Sequence, residues 1–219
     1  MHLLRRLILF TIVMVSLFPA VALAGPPDIH PSHLRISLFN DAAVPQELLE
    51  RAETRASFVL GQAGIEVDWL ICHSASPVDF SSKPTECSAI VWPQQLSVRI
   101  LKQGKAVGED TFGQSFLDQS GFGAYANIYF ASLNASRAHP ELSDGEMLGY
   151  VIAHEVGHLL LGANSHSDTG VMQARWRGPA LHAAAQQALY FTSAQAVVLR
   201  SRLSNSYSLS ASTRLPLNP

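Results

Sequence analysis

The stretch from Val151 to Leu161 constrains this chain more than any other. It is apolar throughout except for His154, Glu155 and His158. Ser143 or Asp144 can cap a helix ahead of it, Glu146 falls in the first turn, and Gly162 can stop it, so the pattern predicts a helix over 144–161. A helix that is apolar on nearly every side has to be buried. Three buried polar side chains without partners would be costly, so something must satisfy them. On a helix, positions 154 and 158 lie one turn apart on the same face. Two imidazoles can then meet one metal ion, with Glu155 turned one step aside as a general base toward water that the ion activates. Zinc is the ion this spacing suits.

A catalytic zinc ion ordinarily takes three protein ligands and keeps one position open. No Glu follows Glu155, and Asp168 is the sole acidic residue after His158. The downstream candidates are therefore His166, Asp168 and His182. His166 is favoured, because Gly162 permits a sharp turn and Ala163-Asn164-Ser165 gives the chain slack to return. Asp168 could instead orient a ligand imidazole from behind. His182 falls in an alanine-rich stretch that reads as a helix, where a packing or surface role fits better.

Upstream, hydrophobic alternation predicts strands at 33–39 and 65–71, with a helix over 45–63 between them. Further strands are expected at 97–101, 111–117 and 124–130, with a start near Ile90 as the alternative for the first, and a loop at 132–143. After the long helix, a glycine-bearing loop runs to about Pro179, followed by helical stretches at 180–189 and from Ser193 to about Leu203. Thr192-Ser193-Ala194-Gln195 has the form of a capping box. The order is that of a mixed α/β domain. Charged residues make up 15% of the chain and the formal net charge is −2. With no run of Lys or Arg, this excludes a chain that is disordered as a whole and a nucleic-acid-binding arm.

Arg5 and Arg6, the apolar run Leu7–Phe18 and the Ala22-Leu23-Ala24 triplet together predict a signal peptide over 1–24. The mature protein would be exported, periplasmic or extracellular, with no stable membrane association after cleavage. Export in turn predicts that Cys72 and Cys87 form a disulfide. Residues 25–204 then make one domain, and 205–219 a flexible tail.

His154-Glu155-Val156-Gly157-His158, Gly162, His166 and Gly170-Val171-Met172 resemble the metzincin pattern of zinc peptidases. Gly157, Leu159-Leu160 and His166-Ser167 are most similar to the matrixin branch. Gly162 follows His158 by four residues and His166 follows Gly162 by four, where the usual metzincin intervals are three and three, so two extra residues are accommodated. The resemblance implies a twisted, mostly parallel sheet with a backing helix, an active-site helix and a small C-terminal helical subdomain. The subdomains would span about 33–162 and 163–204. It also implies His154, His158 and His166 as zinc ligands, Glu155 as the catalytic base, Met172 beneath the metal, and metalloendopeptidase action on a peptide or protein. An extended substrate would pair with 124–130 or its hairpin partner. The rival readings are an exported zinc-binding protein without proteolytic activity and a peptide-binding module.

Overall fold

The computed structural model describes residues 32–73, 86–103, 111–135 and 142–212. The expected signal peptide, most of the loop between the two cysteines and residues 213–219 lie outside them. Five strands form one sheet: β1 (Ser32–Asn40), β2 (Ile65–Cys72), β3 (Gln95–Leu101), β4 (Gly113–Phe116) and β5 (Tyr125–Tyr129), in the order β2-β1-β3-β5-β4. All neighbours run parallel except β4, which pairs antiparallel with β5 and forms one edge. This is the mixed α/β, mostly parallel sheet expected from the sequence.

Alternation along the strands separates the two faces of the sheet. Ile36 and Leu38 of β1 stand in register with Leu96 and Val98 of β3, and Val98 and Ile100 with Ala126 and Ile128 of β5. All are buried and share one core with the helices α1 (Gln46–Gln62) and α3 (Asp144–Leu161). On the opposite face, in-register neighbours pair by charge, as Arg35 does with Asp68 at 2.7 Å.

α1 and α3 cross where their side chains are smallest. A Cβ on Gly149 would lie 2.6 Å from the Ala52 carbonyl oxygen, and one on Gly145 would lie 2.8 Å from that of Leu48. Ser143 caps α3, and its hydroxyl and backbone N–H are matched reciprocally by Glu146. Glu146 also accepts from buried Arg55 of α1 at 2.9 Å. Burial alone would raise the Glu146 pKa, but its bonds from Ser143 and Arg55 bring it below the usual value. Gly149→Val is expected to cost about 3 kcal/mol, the upper range for overpacking. A lowered urea midpoint would show it; an unchanged midpoint would mean the helices do not meet there.

Several boundaries differ from the sequence expectation. Pro45 sits at the N-cap of α1, not within its first turn. β3 begins at Gln95, after a cis Trp92–Pro93 bond and a turn. Part of the expected loop at 132–143 is instead a short helix, α2 (Phe130–Ala135). α4 (Gly178–Ala185) starts earlier and ends sooner than alanine content suggests. The chain breaks at Gln187, with φ 58°, and then buries Leu189 and Phe191. The last helix, α5 (Ser193–Ser212), runs into the stretch expected to be a flexible tail. Cys72 and Cys87 form the expected disulfide. Among the described residues, no helix is long and apolar enough to cross a membrane.

Candidate metal centre

α3 carries His154 and His158 on one face, and the chain then reverses at Gly162, which has φ 96°. The return brings His166 back to the same point. His158 Nε2 lies 3.0 Å from His154 Nε2 and 3.1 Å from His166 Nε2. The returning loop is tied to α5. Gln195 Nε2 donates to the Ser165 carbonyl and the Ser167 hydroxyl, while Gln195 Oε1 accepts from Thr192 N–H. The Thr192 hydroxyl accepts from Gln195 N–H, completing the capping box. One glutamine thus caps a helix and fastens the loop that carries His166.

The bond behind His154 sets its tautomer. His154 Nδ1 donates to the Val171 carbonyl at 2.8 Å. A carbonyl only accepts, so the proton is on Nδ1 and the Nε2 lone pair faces its neighbours. His158 Nδ1 is 2.8 Å from the Ser165 hydroxyl. With their Nε2 atoms unprotonated, the three imidazoles would present their lone pairs to a cation placed among them. Ligands about 2.0–2.1 Å from a tetrahedral zinc ion stand roughly 3.3 Å apart. The donor set and its spacing therefore fit such an ion, and these three histidines form a group that could hold one.

Burial pushes His154 down to about 4, with His166 adding to the effect and the Val171 carbonyl opposing it. Burial pushes His158 down to about 3, helped by His154 and His166. In the metal-free chain the unfolded state therefore binds more protons at these two sites below about pH 6.5. Their stabilisation is complete above that value and is lost as the pH falls toward 4 and 3. Glu155 opposes this with a single proton between its ordinary 4.5 and about 7. Chelated protein is expected to melt at progressively lower temperature as the pH drops from about 6.5 to about 4.5. A circular-dichroism melting temperature that holds or rises over that range would contradict the assignment.

Glu155 is 5% exposed. Burial raises its pKa to about 7, and a hydrogen bond from the Ser115 hydroxyl, 2.7 Å from Oε2, works against that rise. The same hydroxyl lies 3.0 Å from the Glu155 carbonyl oxygen. A Cβ on Gly113 would fall 2.5 Å from Glu155 Oε1, so β4 closes directly over this carboxylate. The three histidines and Glu155 line a cleft of about 760 Å³, with Gly113 and Ser115 of β4 in its wall.

Met172 is fully buried, and a Cβ on Gly157 would lie 2.4 Å from its sulfur. Position 157 must be small because the methionine packs against the helix there. Trp176 donates to the Val171 carbonyl at 3.0 Å and sets its ring edge-on to His154. The other two candidates for the third ligand lie elsewhere. Asp168 is exposed and outside the histidine cluster, and the partner behind His158 is Ser165. His182 is exposed on α4, 2.9 Å from Gln186. Ser115 and Ser165 had no signal in the sequence as partners of the site, and Val171, though part of the Gly-Val-Met segment, acts through its backbone carbonyl, which a sequence motif does not reveal.

No family model and no curated protein matches the sequence. Solved structures give similarities in chain trace. Archaemetzincin from Methanopyrus kandleri is 17% identical, with 82% of this chain and 99% of that one covered and a TM-score of 0.49. Metalloproteinase-II from Bacteroides fragilis is 16% identical over 81% of this chain and 54% of that one, with a TM-score of 0.47. Archaemetzincin from Archaeoglobus fulgidus, complexed with malonate, is 20% identical over 75% and 99%, with a TM-score of 0.45.

Proposed function

We propose that this chain is an exported, zinc-dependent metallopeptidase of metzincin type. The observation that carries the reading is the convergence of three imidazole Nε2 atoms beside a buried carboxylate in one cleft. His154, His158 and His166 are the ligands and Glu155 is the catalytic residue. Export is supported by the Arg5-Arg6 and Leu7–Phe18 pattern and by the Cys72–Cys87 disulfide.

When bound, zinc supplies Lewis acidity that polarises a carbonyl and acidifies water. The chain's own residues do the rest. Glu155 has one carboxylate oxygen engaged by Ser115. It accepts a proton from the attacking water and passes it to the leaving amine. Substrate adds to β4, the sheet-edge strand along the cleft, because β5 is already paired on both sides. Of the two strands considered from sequence, the hairpin partner is the one with an edge unpaired among the described residues.

The test is digestion of casein by protein freed of residues 1–24. Cleavage is expected with zinc, is abolished by chelator, and returns when zinc is restored. Folded protein that binds no zinc would overturn the reading.

A further inference from the structure

The cleft carries a charge pattern that its proposed chemistry does not use. Arg175 and Arg177 both line it, on either side of Trp176. Trp176 is anchored through Nε1 to the Val171 carbonyl, which also accepts from His154. The segment that bears the two arginines is therefore fastened to the metal centre itself. Both arginines are exposed, and among the described residues neither joins an ion pair. Among the described residues, Glu155 is the sole carboxylate in the lining, and it is buried and held by Ser115. The chain as a whole carries a formal charge of −2, so a cationic cleft runs against its overall balance.

Resting on the peptidase reading, we infer that Arg175 and Arg177 select substrates with a carboxylate close to the scissile bond. A guanidinium binds a carboxylate through two parallel N–H donors and keeps its charge at any working pH. The same field rejects a Lys or Arg side chain at that position. The carboxylate can come from an Asp or Glu side chain or from the C-terminus of the substrate.

The experiment uses one quenched-fluorescence peptide with Glu, Gln or Lys at each of the positions flanking the cleaved bond. Each peptide is made both as a free acid and as a C-terminal amide. Glu is expected to exceed Gln by about 10-fold or more in kcat/KM, chiefly through KM, with Lys lowest. The advantage should shrink as salt rises from about 0.05 to about 0.5 M. Replacing both arginines by Glu should reverse the order of Glu and Lys. A free-acid preference without a Glu preference would assign the carboxylate to the substrate's C-terminus.

Binding of the same peptides to zinc-loaded Glu155→Gln protein, read by anisotropy, separates this inference from the peptidase reading. Selective binding of acidic peptides that the unaltered protein never cleaves would keep the inference and remove the peptidase reading. Cleavage indifferent to peptide charge, or a Glu preference that survives Arg175→Gln with Arg177→Gln, would overturn the inference and leave the peptidase reading standing.

Discussion

Glu155→Gln is expected to lower kcat by about 10²–10⁴-fold, the range for losing a positioned acid–base group. Zinc content should not change. The amide matches the carboxylate in size and can still accept from the Ser115 hydroxyl, now 2.7 Å from Oε2. What it cannot do near neutral pH is take a proton from water. The substitution therefore separates holding the metal from using it. Because Gly113 packs against the same group, a bulkier replacement would confound the result by moving β4. Parallel zinc analysis and peptide turnover provide the check. Full turnover with zinc retained would remove Glu155 from the mechanism, whereas lost zinc would show that the carboxylate also supports the site.

His154→Ala and His158→Ala are expected to remove zinc at concentrations where the unaltered protein is saturated. His166→Ala should do the same. Each loss should exceed the 10–100-fold that typically follows removal of a supporting partner. Ser165→Ala removes only the group behind His158 and should fall within that lower range. Asp168→Ala and His182→Ala should leave affinity where it was, since neither side chain belongs to the cluster. Competition against a chromophoric chelator measures the whole series. Equal affinity in His166→Ala and the unaltered protein would reopen the third ligand, with Asp168 next in line.

The readable parts of the site are those whose geometry is local. The first two strands could be placed because apolar residues alternate with polar ones along them, at Leu34, Ile36 and Leu38 and at Ile65, Val67 and Trp69. α3 could be placed to the residue at its C-terminal end by the apolar run and Gly162. Its N-cap was narrowed to two residues, and Ser143 is the one that engages Glu146. Where helix propensity alone was the guide, the reading slipped. The alanine-rich stretch predicted a helix to Leu189, yet α4 stops at Ala185 so that Leu189 and Phe191 can turn into the core. α2 escaped notice because six residues are too few to show a period.

The sequence by itself determined that His154 and His158 would share a helix face with Glu155 beside them. That follows from 3.6 residues per turn and needs no other part of the chain. Only the tertiary structure decided what stands opposite them. Whether His166, Asp168 or His182 reaches the point between the two imidazoles depends on the path of a loop that Gln195 fastens from α5, 29 residues beyond His166 in the chain. That Ser115 meets Glu155 across 40 positions depends on β4 lying at the sheet edge against α3. Contacts of that kind are set by the packing of whole elements on a common core, and periodicity within one element carries no record of them.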